Sequence, residues 1–146
     1  MKKLLPIIIV AGIAALAEHF YPGTLPVHAP PAAVAYGGSD LARAFENHAS
    51  NIRVRGQGSV IKILPDDNYG SRHQRFIVRL PSGQTVLIAH NIGLAPRVSP
   101  LHKGDSVSFS GEYEWNPKGG VVHWTHRDPA GRHRAGWVKR AGQTFQ

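Results

Sequence analysis

From Arg53 onward the chain keeps a period of two, apolar against polar, and Gly- or Pro-dense turns interrupt it every few residues. In a strand, successive side chains point to opposite faces, so this pattern confines most of the chain to half-buried β-structure. His73 to Leu80 shows it most cleanly. Gln74, Phe76, Val78 and Leu80 share one face, and His73, Arg75, Ile77 and Arg79 share a basic opposite face. Val107, Phe109, Gly111, Tyr113 and Trp115 repeat the pattern against Ser106, Ser108, Ser110, Glu112 and Glu114. Arg53 to Leu64 alternates loosely around Gly56 and Gly58, as a strand does when it bends or bulges. Thr85 to His90 and Val121 to His126 complete a set of five strands, with Val122 and Trp124 on one face of the last. Turns fall at 65–70, 81–84, 116–120 and 128–131, where Pro, Gly, Asn and Asp gather. Asn91 to Pro100 contains two prolines and no period, and reads as a connecting loop. Trp137-Val138 and Thr144-Phe145, around Ala141-Gly142, form a last small hairpin.

Upstream, Leu41, Ala44 and Phe45, with His48 at the next turn, follow helical spacing between Ser39 and Asn51, after a cap at Ser39 or Asp40. One short amphipathic helix is expected there. Residues 18–37 hold Pro22, Pro26, Pro30 and Pro31 without apolar periodicity, and read as an extended tether. Before them, Met1-Lys2-Lys3 leads into an apolar run of 14 residues, Leu4 to Ala17, ending in the small-x-small step Ala15-Leu16-Ala17. A spanning helix needs about 20 residues, so residues 1–17 are expected to be a signal peptide and no permanent membrane span is expected. An uncleaved anchor is the alternative. A second small-x-small site, Ala33-Val34-Ala35, would put the mature start near Tyr36. The expected location is periplasmic or secreted, with 38–146 as a single domain.

The 146 residues are too few for two ordinary cores. Seventeen Lys and Arg face nine Asp and Glu, a formal charge of +8, and the pI is near 10.3. From residue 36 onward, 15 basic side chains still face 8 acidic ones, so the charge belongs to the domain and favours polyanions. Apolar residues at 42% and charged ones at 18% argue for a folded core rather than a disordered polycation. The absence of cysteine excludes thiolate zinc sites, thiol nucleophiles and disulfides, leaving His, carboxylate or carbonyl oxygen as metal ligands.

A bent first strand, five strands in all, and the Leu101-His102-Lys103-Gly104-Asp105-Ser106-Val107 step before the fourth resemble the small Greek-key barrel of the OB-fold class over Gly56 to about His126. OB-folds usually insert a helix between the third and fourth strands, and Asn91 to Pro100 carries too many breakers for one. The fold expected is therefore mainly β, a five-stranded OB-like barrel with one short N-terminal helix and a C-terminal hairpin. Ala89 to Arg97, Gly111 to Asn116 and His123-Trp124-Thr125-His126-Arg127-Asp128-Pro129 also resemble a family of small secreted bacterial proteins classed as a domain of unknown function, over about residues 53–146. That resemblance implies an extracytoplasmic protein and no particular activity.

The segment His123 to Asp128, followed by Arg132-His133-Arg134, concentrates imidazole, carboxylate and guanidinium groups. His123, His126 and Asp128 form a candidate site for a divalent metal that would activate water. In a regular strand the odd spacing sends the two imidazoles to opposite faces, so one ion requires a turn at Thr125 or Arg127; the other reading is a solvated or hydrogen-bonded cluster. His90 ends the third strand either as a base or ligand, or as a partly buried histidine satisfied by a carbonyl. Arg72, His73, Arg75 and Arg79 form a stripe able to hold phosphate, or else a solvated face. Tyr69, Trp115, Trp124 and Trp137 are the rings available for base stacking, with Trp137 the best placed, beside Arg134, Lys139 and Arg140. Asp66 and Asp67 belong to a turn that needs no ion. No nucleophile elbow, P-loop or dinucleotide fingerprint occurs, which disfavours acyl-transfer and nucleotide-dependent enzymes.

Two function classes follow. One is a non-catalytic module binding a polyanion, nucleic acid or an anionic envelope component, through Arg72, His73, Arg75, Arg79, Arg97, Arg127, Arg132 and Arg134. The other is a metal-dependent phosphodiesterase or nuclease using His90, His123, His126 and Asp128, with Arg97 or Arg127 on the transferring phosphate. A third possibility is an envelope protein held near anionic lipid by charge alone.

Overall fold

The computed structural model describes residues 38–146. The signal peptide expected over 1–17, the tether over 18–37 and both cleavage sites lie outside the described residues. Helix α1 (Gly38–Glu46) buries Leu41 and Ala44 and half-buries Phe45. It starts at Gly38, so Ser39 and Asp40 stand in its first turn rather than capping it, and Asp40 pairs with Arg43 at 3.0 Å. It also stops at Glu46, short of Asn51. His48 adopts φ 50°, its N–H bonding to the Phe45 carbonyl at 3.2 Å while the Ala49 N–H reaches Ala44 at 2.9 Å. This is a left-handed helix stop built without glycine. The His48 ring, freed from the helix, stacks on Trp115 at 4.0 Å.

Seven strands follow: β1 (Ile52–Asp67), β2 (His73–Arg79), β3 (Thr85–Asn91), β4 (Ser106–Glu114), β5 (Val121–His123), β6 (Trp137–Arg140) and β7 (Gln143–Phe145). They form one sheet in the order β1-β2-β3-β5-β4-β6-β7, and β1 also pairs with β4, so the path through the first five strands returns to its start. The expectation of five strands is corrected to seven in one sheet. The C-terminal hairpin extends that sheet, because β6 pairs with Val107 to Ser110 of β4. β5 is likewise shorter than expected: Trp124 takes φ 54° and ends it at His123.

β1 serves two partners, with Ile52 to Ser59 on β4 and Ser59 to Asp67 on β2. Its glycines make that change of partner sterically feasible. A Cβ on Gly56 would lie 2.5 Å from the Phe109 ring, and one on Gly58 would lie 2.1 Å from the Arg79 carbonyl oxygen. Register shifts at Val60/Lys62 and Leu64/Asp67 accommodate the remaining curvature. The inward residues of the sheet, among them Val60, Phe76, Ile88, Phe109, Tyr113 and Val122, form one core that Leu41 and Ala44 of α1 join.

The connection from β3 to β4 contains no helix. Gln74 holds it from β2: its amide accepts from the Val98 N–H and donates to the Val98 carbonyl, both at 2.9 Å, in a buried setting. Among the described residues no helix is long and apolar enough to cross a membrane.

Candidate functional site

β2 begins where β3 ends, with His73 opposite Asn91, and β5 runs parallel to β3. This topology gathers His73, His90 and His123 at one end of the sheet. His90 is fully buried, with Nδ1 2.8 Å from the Thr125 hydroxyl and Nε2 2.9 Å from the Pro96 carbonyl. Because a carbonyl only accepts, Nε2 carries the proton and Nδ1 accepts from Thr125. Burial pushes the His90 pKa down, against the pull of those bonds. The charges of His126 and His73 act on the same ring.

After Trp124 turns the chain, His126 is buried and its Nδ1 donates to the Arg127 carbonyl at 2.7 Å. Asp128 acts as a loop organiser. Its Oδ1 accepts from the Ala130 N–H at 2.9 Å, and its Oδ2 accepts from Arg132 and His133 at 2.8 and 2.9 Å. These bonds, that of Ala130 first, hold its carboxyl below the usual carboxylate range. His123 stands apart from both. It lies across from Glu112 on β4, and its Nε2 is buried without a hydrogen-bond partner, 3.6 Å from Glu114 Oε2. Burial lowers its pKa, and Glu114 and Glu112 oppose that shift. His133 Nδ1 reaches Glu112 at 3.5 Å, and its ring stacks on Trp124 at 3.8 Å.

The candidate metal ligands are therefore neighbours with separate duties. His90 has both nitrogens engaged and Asp128 has both oxygens on backbone amides. Among the described residues no group of three or more His, Asp or Glu could hold a metal ion. Glu112, which the sequence does not single out, and His133, which it offers only as part of a His- and Arg-rich stretch, complete the cluster. Only the β4–β5 pairing and the loop after β5 bring them beside His123, and no local spacing announces that.

Most of the cations lie toward the same end, but Arg79 closes the opposite end of β2, where it pairs with Thr85 and Ser59. Arg72, Arg79, Arg97, Arg127, Arg132 and Arg134 are exposed, while Arg75 is half-buried with its Nε donating to the Pro65 carbonyl at 3.0 Å. Arg97 forks onto Asp66, and that contact, above all, holds the Asp66 carboxyl below the carboxylate range. Arg72 and Arg75 act on the same carboxylate. Arg53 anchors the 124–136 loop from β1, donating to the Ala135 carbonyl and to the Ser110 hydroxyl. Four of the eight side-chain carboxylates among the described residues are already occupied: Asp40 by Arg43, Asp66 by Arg97, Asp105 by Arg140 and Asp128 by amides. Among the described residues Arg72, Arg79, Arg127, Arg132 and Arg134 have no carboxylate partner within ion-pair distance.

The rings sort differently from expectation. Trp137 is half-buried under the Lys139 ammonium, 4.5 Å from the ring. Trp115 packs on the core and Trp124 lies under His133. Tyr69, in the β1–β2 turn and three residues before Arg72, is 94% exposed and is the available ring.

The family described as "Protein of unknown function (DUF3465)" matches residues 27–146 of this chain. No curated protein matches it.

Proposed function

The chain belongs to that family, whose description assigns no chemistry, and we propose from the geometry that it is an extracytoplasmic, non-catalytic module that binds a polyanion, with nucleic acid as the ligand to test. The observation that carries this reading is the unequal use of charge. Asp40, Asp66 and Asp105 already hold a cation and Asp128 holds backbone amides, whereas Arg72 just before β2, Arg79 at the far end of β2 and Arg127, Arg132 and Arg134 after β5 keep free guanidinium groups. Guanidinium forks suit phosphate oxygens in bidentate fashion. The closed pairing of β1 to β5 supports an OB-type barrel, and an exposed ring such as Tyr69 beside cations suits a single strand.

The test is a mobility-shift assay of the purified protein with labelled single- and double-stranded DNA at low salt, with EDTA and then with added divalent metal. An intact shifted band, indifferent to EDTA and lost as salt rises, is expected. Binding unchanged from low to high salt would exclude a phosphate-driven interaction. The competing phosphodiesterase reading rests on the buried, unpartnered Nε2 of His123 beside Glu114. Metal-dependent loss of full-length DNA, abolished in His123→Ala, would replace the binding module with that enzyme.

A further inference from the structure

We propose a second binding site, a preformed cleft on the outer face of β1–β3 that takes a single-chain anionic amphiphile, an alkyl phosphate or fatty carboxylate. The cleft has a volume of about 340 Å³, and its lining includes Leu64, Arg75, Ile77, Leu87, Asn116 and Lys118. That is near the lower end of the roughly 300–1,000 Å³ typical of small-molecule sites, room for one chain rather than two.

Strand register builds the floor. Leu64 lies opposite Arg75, and Ile77 lies opposite Leu87, so aliphatic side chains from three adjacent strands stand abreast on the face that alternation would make polar. Each is half-buried. Outward aliphatic groups in a row, rather than singly, mark a surface that binds apolar matter.

The far wall is the β4–β5 turn, and it is held in place. Asn116 Oδ1 accepts from the Lys118 N–H at 2.9 Å and the Gly120 N–H at 3.1 Å. The Gly120 carbonyl accepts from the Leu87 N–H at 3.1 Å, fastening the turn to β3. Gly119, at φ 122°, lets the backbone pass so close that a Cβ would lie 2.1 Å from the Thr85 carbonyl oxygen. The cleft therefore needs little ordering on binding.

Its charge is one-sided. Arg75 is steadied through Nε by the Pro65 carbonyl, which leaves its terminal nitrogens for a ligand. Lys118 has no carboxylate partner among the described residues, and no acidic side chain lines the cleft. No aromatic side chain lines it either, so it offers a nucleobase nothing to stack on. Two cations above an aliphatic floor match an anionic head on an alkyl chain. The site shares Arg75 with the polyanion face and does not depend on that reading.

The test is calorimetric titration of the purified protein with dodecyl phosphate below its micellar concentration, beside decyl phosphate, inorganic phosphate and neutral dodecyl maltoside. Saturable one-to-one binding is expected for dodecyl phosphate, roughly tenfold tighter than for decyl phosphate because each buried methylene contributes. Lys118→Gln is expected to weaken it roughly tenfold with an unchanged circular dichroism spectrum. Methyl signals of Ile77 and Leu87 in the unmodified protein should shift on binding. Inorganic phosphate binding as tightly as dodecyl phosphate would overturn the apolar floor, and dodecyl maltoside binding as tightly would overturn the cationic rim. Unmoved Ile77 and Leu87 signals at saturation would place the ligand elsewhere and end the proposal. DNA binding is not needed for any of these outcomes, so this site and the polyanion reading can fail separately.

Discussion

At the scale of single residues, His90 shows how a buried imidazole ties stability to pH. Its neutral form satisfies both the Thr125 hydroxyl and the Pro96 carbonyl, and burial pushes its pKa below the ordinary value near 6.5. His123 is shifted in the same direction. Below about pH 6.5 the unfolded chain therefore binds protons that the native state refuses, and stability falls as pH falls. Urea unfolding near neutrality and at about pH 5.5 should show the loss. His90→Ala should remove part of the pH dependence and cost about 2–4 kcal/mol at neutral pH, because Thr125 and Pro96 lose their partner. A second loss begins lower, as Asp66, Asp105 and Asp128, all depressed, protonate below about pH 4. Glycines make a sharper contrast. Gly120→Ala combines φ 87° with a Cβ only 2.3 Å from the Tyr113 ring, and should cost over about 3 kcal/mol. Gly104→Ala has a similar φ of 95° in open space and should cost only about 1–2 kcal/mol. Thermal denaturation of the pair separates steric overlap from backbone strain.

At the scale of elements, two loops owe their shape to one side chain each. Gln74 bonds both backbone groups of Val98, so Gln74→Ala should cost about 1–3 kcal/mol and speed hydrogen exchange at the Val98 amide before that of β4. Asp128 accepts three amides of the loop that carries Arg127, Arg132 and Arg134. Asp128→Ala adds a unit of positive charge yet should weaken DNA binding several-fold, because the guanidinium groups lose their arrangement. Tighter binding instead would mean that charge alone governs affinity. The alternating runs of β2, β3 and β4 were legible in the sequence because each has one face in the core. The ends of α1 and β5 were not, since His48 and Trp124 take left-handed φ without the glycine that would announce it. For the same reason the period of two runs on from Val122 to Trp124, although the strand ends at His123. The site was legible only as ingredients: His90, His123, Arg72 and Arg75 stand near one end while Arg79 falls at the other end of β2, and the partners of the histidines come from register across strands. Glu112 meets His123 by pairing, and His133 meets Glu112 through a loop that Arg53 ties down.

At the scale of the whole molecule, the excess of base over acid is a surface property, because Arg72, Arg79, Arg127, Arg132 and Arg134 are exposed and none has a carboxylate partner among the described residues. If phosphates take the free arginines, the logarithm of affinity should fall linearly with the logarithm of salt, by about 0.9 per phosphate neutralised on duplex DNA and about 0.7 on a single strand. Arg72→Gln with Arg79→Gln should make that slope shallower by up to about 2 on the duplex. A filter-binding titration across salt measures both slopes. The closed sheet also orders events in time. Ile52 pairs with Tyr113 and Ser59 with Ser106, so the first half of β1 stays uncommitted until residues well past the middle of the chain arrive. Long-range closure of this kind makes folding slow relative to local structure and leaves early segments with nothing to rest on. A chain cut before Ser106 should therefore collapse without a native core, and a chain emerging end-first is exposed to proteases until its last third is free.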